Sequence, residues 1–142
     1  MKIHRSLSFI FLMLVVLSKS SWAEKPYAPD GLDGAILVDA EQAAELIVNS
    51  KNLVIVDSRK EIEYSKGHIQ GSISLLDTEM TTEKLAAYAP DKSTPLLFYC
   101  NGERCLRSSR AATQALHWGY SKIYWFRGGW NEWVEKGMPI SH

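Results

Sequence analysis

The chain of 142 residues has only two cysteines and five prolines, and no surplus of either charge: 16 Lys and Arg stand against 16 Asp and Glu. Each shortage excludes something. Balanced charge removes the basic stripe that nucleic-acid binding requires. Two cysteines without a second pair give no zinc-type ligand set, and the four histidines do not supply one: His4 is in the leader, His68 in a turn, His117 in a predicted helix and His142 at the end. No metal and no cofactor is expected. Beyond the first residues no apolar run is long enough to span a membrane. Internal repeats and low-complexity tracts are absent.

The chain opens with Lys2, His4 and Arg5, followed by the almost wholly apolar stretch Leu7 to Leu17 and by Ser21-Trp22-Ala23. This is the layout of a secretory signal peptide cleaved after Ala23, with an apolar stretch too short to be a confident span. Residues 1–23 are therefore expected to be a leader. The protein is expected to be exported, to the periplasm, with no stable membrane anchor after cleavage. Losing Lys2, Arg5 and Lys19 leaves 13 basic against 16 acidic side chains, a formal charge of −3. The remainder suits one domain.

Both cysteines, Cys100 and Cys105, lie in the mature part. Exported proteins usually pair their cysteines. Here a bond would close a very small loop and constrain the unfolded chain little. A redox or catalytic pair explains them better than a structural staple.

Residues 24–37, with Pro26, Pro29, Gly31 and Gly34, read as an irregular lead-in, and residues 38–142 as the domain; Ile36-Leu37-Val38 is a candidate first strand. Asp39 suits the N-cap of a helix carrying Ala43, Ala44, Leu46 and Ile47. Leu53 to Val56 is a continuous apolar run of the buried parallel type. A short helix over Glu61 to Ser65, a turn over Lys66 to Gly71 and a third strand over Ser72 to Leu76 follow. Thr81 to Ala89 predicts a helix with Leu85, Ala86 and Tyr88 available for burial. Lys122 to Phe126 predicts the last strand, broken by Gly128-Gly129, and Trp130 to Lys136 a final helix that buries Trp133. Alternating strands and helices predict an α/β fold, a central parallel sheet with helices on both faces. Ligands in such folds bind beyond the carboxyl ends of strands.

The most informative stretch is Pro95 to Ala112. Leu96 to Tyr99 is a short apolar run, and from Leu106 the spacing of Leu106, Ala112, Ala115 and Leu116 turns helical, with Gly119 as the stop. Cys100 thus falls at the carboxyl end of a strand, just before a helix amino terminus. Free N–H groups there, with Arg104 and Arg107, favour a thiolate and a small anion. Guanidinium forks suit an oxyanion donor. A phosphatase loop needs Cys-x5-Arg, and Arg107 falls one residue too late.

Three blocks, in order, resemble the rhodanese family of sulfurtransferase domains. The first is Ile55-Val56-Asp57-Ser58-Arg59, then Glu63-Tyr64 and Gly67-His68-Ile69-Gln70-Gly71-Ser72-Ile73. The second is Leu97-Phe98-Tyr99-Cys100, continuing to Arg107-Ser108-Ser109-Arg110-Ala111-Ala112. The third is Gly119-Tyr120, Ile123, Phe126-Arg127-Gly128-Gly129-Trp130, Trp133, Gly137 and Pro139. The resemblance implies a rhodanese-like fold and a persulfide on Cys100. That persulfide would be loaded from a small anionic donor such as thiosulfate and unloaded to a thiol or cyanide. It makes Asn101, Gly102, Glu103, Arg104, Leu106 and Arg107 the substrate-binding loop, with Asp57 and Arg59 supporting it as a framework pair. The chain departs from the usual Cys-x-x-Gly-x-Arg-Ser pattern: its loop is two residues longer and contains Cys105. It is similar to exported members with a second cysteine in this loop. Cys105 is then a resolving thiol, a partner in a protective disulfide, or a side chain packed under the loop. The alternatives to sulfur transfer are a thiol–disulfide oxidoreductase using both cysteines and a non-catalytic sulfur carrier.

Overall fold

The computed structural model describes Glu24 and residues 26–142; the expected leader, residues 1–23, lies outside the described residues. In chain order the elements are β1 (Ala35–Val38), α1 (Ala40–Asn49), β2 (Val54–Asp57), α2 (Glu61–Tyr64), β3 (His68–Ile69), β4 (Ile73–Ser74), α3 (Thr82–Tyr88), β5 (Leu96–Tyr99), α4 (Arg107–His117), β6 (Ile123–Phe126), α5 (Gly129–Glu135) and β7 (Ile140–Ser141). Five strands form one parallel sheet in the order β1-β6-β5-β2-β4. The apolar run Leu96 to Tyr99 becomes the central strand because it alone is fully buried along its whole length. It therefore needs neighbours on both edges and cover on both faces.

Alternation along the strands sorts the core into two halves. Val56, Leu96, Phe98, Ile123 and Trp125 pack with Leu85 of α3 and Ala111, Ala112 and Ala115 of α4. Ile55, Leu97, Tyr99 and Phe126 pack with Ala40 and Ala43 of α1 and Trp133 of α5. The helices that do this start where local chemistry says they should. Asp39 accepts the N–H of Gln42 at 2.8 Å while the Gln42 side chain accepts the Asp39 N–H at 3.0 Å, a reciprocal cap on α1. Thr81 caps α3 through the Lys84 N–H. Gly119, at φ 91°, ends the stretch after α4 in a conformation other residues rarely adopt.

Four local expectations are corrected. β1 begins at Ala35, inside the stretch read as irregular, because Ala35 pairs in register with Ile123 of β6. The strand expected over Ser72 to Leu76 shrinks to Ile73–Ser74, which has β2 on one side only. Lys66 to Gly71 is not only a turn: His68 and Ile69 pair antiparallel with Ser141 and Ile140. In α3 the tyrosine expected to bury, Tyr88, is 53% exposed, and Ala89 takes the buried place. No helix among the described residues is long and apolar enough to cross a membrane.

Candidate active site

The carboxyl ends of β2, β5 and β6 lie side by side, so Asp57 to Arg59, the loop from Cys100, and Arg127 to Gly129 meet at one end of the sheet. Behind the loop sits a buried polar frame. Asp57 accepts hydrogen bonds from the Arg59 N–H at 2.9 Å, from Arg59 Nη2 at 2.7 Å and from the Tyr99 hydroxyl at 2.6 Å. Arg59 also donates to the Gly67 carbonyl at 2.7 Å, and its guanidinium lies 4.5 Å from the Trp130 ring centre. The Tyr99 oxygen accepts the Ile69 N–H at 3.1 Å. Burial and the adjoining Asp57 charge push the Tyr99 hydroxyl far above its ordinary range, so it stays a donor. The pair expected to support the loop thus holds β2, β5, β3 and α5 together. His68 also has a structural role. It stacks on Tyr64 at 3.8 Å between ring centres, with Nδ1 3.0 Å from the Tyr64 carbonyl.

The loop is fastened from the front by α5. The Trp130 N–H donates to the Cys100 carbonyl at 2.8 Å, and the Asn131 N–H to that of Asn101 at 2.9 Å. Gly129 makes this approach possible: its φ is 56°, and a Cβ there would sit 2.2 Å from the Cys100 oxygen.

Cys100 and Cys105 are both free thiols. Cys100 is 1% exposed, and its Sγ accepts from Ser108 Oγ at 3.3 Å and donates to the Cys105 carbonyl at 3.3 Å. Ser108, itself buried, is oriented by Trp125, whose Nε1–H donates to Ser108 Oγ at 3.0 Å. The contact of Cys100 Sγ with the Cys105 carbonyl joins the two cysteines, and they divide the charge. Its hydrogen bond to Cys105 and its burial hold Cys100 far up, as a thiol. The hydrogen bond from Cys100, with N–H donors at Arg107 and Asn101 and the Arg107 charge, brings Cys105 down to about 6 against its burial.

An open cleft of about 790 Å³ lies over the loop. The structure gathers Asn101, Gly102, Glu103, Arg104, Cys105, Leu106 and Arg107 on its wall; Cys100, expected from the sequence as a thiolate, instead lies beneath it, where the hydrogen bond to Cys105 and burial keep it a thiol. Arg107 is paired: its Nη1 is 3.1 Å from Glu63 Oε2, while Asn101 Nδ2 donates to Glu63 Oε1 at 2.7 Å. Burial acts to raise the Glu63 carboxyl, but the Asn101 bond, the Lys60 N–H and the Arg107 charge keep it below its usual range. Arg110 is paired with Asp77 at 2.8 Å. Arg104 lies over the Tyr27 ring, 4.1 Å from its centre.

Sequence reasoning missed Ser108 and Glu63 as parts of the site, and Pro26 and Tyr27 as its wall. Ser108 directly follows Arg107 and Glu63 stands in the first block, so both had a motif signal. Nothing local marks the lead-in as part of a cleft.

Comparison with known proteins gives one family. The model of the rhodanese-like domain matches residues 39–136. YibN of Escherichia coli is 26% identical over 110 residues, covering 77% of this chain and 75% of that protein. The thiosulfate:glutathione sulfurtransferase of Saccharomyces cerevisiae is 32% identical over 96 residues, covering 61% of this chain and 68% of that protein. Among solved structures, a thiosulfate sulfurtransferase from Pseudomonas aeruginosa superposes with a TM-score of 0.64 at 26% identity, covering 78% of this chain and 21% of that one.

Proposed function

This chain belongs to the rhodanese-like family, and on that premise we propose that it is a sulfurtransferase working through a cysteine persulfide. It takes a sulfane sulfur from a small anionic donor of the thiosulfate type, with Cys100 as the carrier, and yields it to a thiol or cyanide. The observation that carries this reading is a pair of free cysteines at an open cleft, Cys105 on its wall and Cys100 beneath it, with Arg104 and Arg107 on the same wall. A thiolate is the nucleophile such a donor needs, and N–H groups in the loop match a charge held on sulfur. The sulfurtransferase names of the yeast and Pseudomonas relatives point the same way. The basic start and apolar stretch of residues 2–17 favour an exported protein, so the donor and acceptor would be met outside the cytoplasm.

The test is intact mass spectrometry of the reduced protein before and after thiosulfate. One added sulfur is expected, removed by cyanide with formation of thiocyanate, and absent from the double variant Cys100→Ser/Cys105→Ser. Failure of the unaltered protein to take up sulfur defeats the reading. Donor-independent oxidation of dithiols would favour the oxidoreductase instead, which the same pair of thiols can serve.

A further inference from the structure

We infer that the donor's sulfur enters at Cys105, which forms the cleft wall, and that Cys100 receives it from Cys105 behind that wall. This rests on the sulfurtransferase reading and assigns the order of events within it. Attack on a sulfane sulfur is in line with the bond that breaks. The attacking sulfur therefore needs open space in front of it for both the donor and the departing sulfite. Cys105 is half-buried and faces the cleft; Cys100 is 1% exposed and is not part of the cleft wall. The N–H groups of Arg107 and Asn101 and the Arg107 charge favour the charged form of Cys105. The groups around the Cys100 sulfur are the Ser108 hydroxyl and N–H and the Cys105 carbonyl. Near pH 7 Cys105, lowered to about 6, is already the ionised member of the pair.

The steps balance without an outside oxidant or reductant. Cys105 Sγ, as thiolate, bonds to the outer sulfur of thiosulfate. The S–S bond of the donor breaks, and its electron pair leaves with sulfite. Cys100 then attacks the outer sulfur of the Cys105 persulfide. The bond from that sulfur to Cys105 Sγ breaks, its electron pair stays on Cys105 Sγ, and the proton given up by Cys100 goes there. The sulfane sulfur ends on Cys100 at an unchanged oxidation level, beside the Ser108 hydroxyl. The Cys100 Sγ already lies 3.3 Å from the Cys105 carbonyl oxygen, so the hand-over is between two residues in contact.

The experiment uses single variants with thiosulfate as the probe, trapping the thiols with iodoacetamide at successive times and mapping the added sulfur by peptide mass. Cys100→Ser is expected to take up one sulfur on Cys105. Cys105→Ser is expected to load at least about tenfold more slowly than the unaltered chain. In the unaltered protein the sulfur should appear on Cys105 first and on Cys100 later. A second measurement avoids misfolded variants: native alkylation of the unaltered chain without donor should modify Cys105 at least about tenfold faster than Cys100. Loading of Cys105→Ser at the normal rate, or faster native alkylation of Cys100, overturns entry at Cys105 and leaves direct loading of Cys100. Sulfur that never reaches Cys100 overturns the hand-over. Absence of loading in the unaltered protein defeats the sulfurtransferase reading itself.

Discussion

The ionisation of Cys105 depends on its neighbour more than on the helix that follows. The largest single influence on it is the hydrogen bond from Cys100, ahead of the N–H donors at Arg107 and Asn101. The thiolate is the reactive form, so alkylation of Cys105 should rise with pH, be half-maximal near pH about 6, and level off above it. Cys100→Ala removes the donor, and the midpoint is expected to move up toward the thiol's ordinary 9.0. A midpoint unchanged in that variant would mean the loop amides and Arg107 hold the thiolate by themselves. Asp57 is the other side chain on which the site rests. It is fully buried, with Arg59 and the Tyr99 hydroxyl as its partners. Asp57→Leu leaves the Arg59 charge buried and unpaired, and breaking a buried pair in this way costs about 3–5 kcal/mol. Urea denaturation should report a loss of that order. A loss below about 1 kcal/mol would place the pair among ordinary surface ion pairs.

Helix α5 positions the loop through its backbone, and this makes Gly129 the most constrained position near the thiols. Gly129→Ala meets the Cys100 oxygen at 2.2 Å and a φ of 56° together. The backbone conformation alone costs about 1–3 kcal/mol, and relief of the clash must shift either the first turn of α5 or Cys100 itself. Both a lower denaturation midpoint and slower sulfur loading are expected, with the loss of loading persisting at temperatures where the variant is fully folded. Full loading of the folded variant would show that the position of the Cys100 backbone does not matter to the chemistry. Elements with local signals were legible in the sequence. Asp39 and Gln42 mark the start of α1, the run Leu96 to Tyr99 marks the central strand, and the three motif blocks place Asp57, Cys100 and Arg107 at one end of the sheet. The β3–β7 pair was not legible, because His68 and Ile69 find their partners at the far end of the chain. Nor was the depth of Cys100. A strand-end cysteine is open or covered according to what the following loop does, and here the Cys105 carbonyl and Ser108 close over it.

Both ends of the described chain close around the end of the sheet that carries the cleft. At the carboxyl end β7 pairs with β3, and Trp133 Nε1 donates to the Pro139 carbonyl at 2.8 Å. At the other end the lead-in crosses the loop: the Ala28 N–H donates to the Glu103 carbonyl at 2.6 Å. Arg127 fastens this crossing, donating to the carbonyls of Pro29 at 2.9 Å and Ala28 at 3.0 Å while pairing with Glu103 at 3.1 Å. Because Pro26 and Tyr27 are part of the cleft wall, Arg127 ties the wall's outer half to its inner half beside the contact of Arg104 with Tyr27. Arg127→Gln removes the charge and most of the fork while leaving the sheet core intact. Hydrogen exchange of the Ala28 amide is expected to quicken by at least about tenfold, with the amides of Leu97 to Tyr99 unchanged. If the strand amides quicken by the same factor, Arg127 supports the whole domain and not the crossing. If neither set changes, the contact between Ala28 and Glu103 holds the lead-in in place without it.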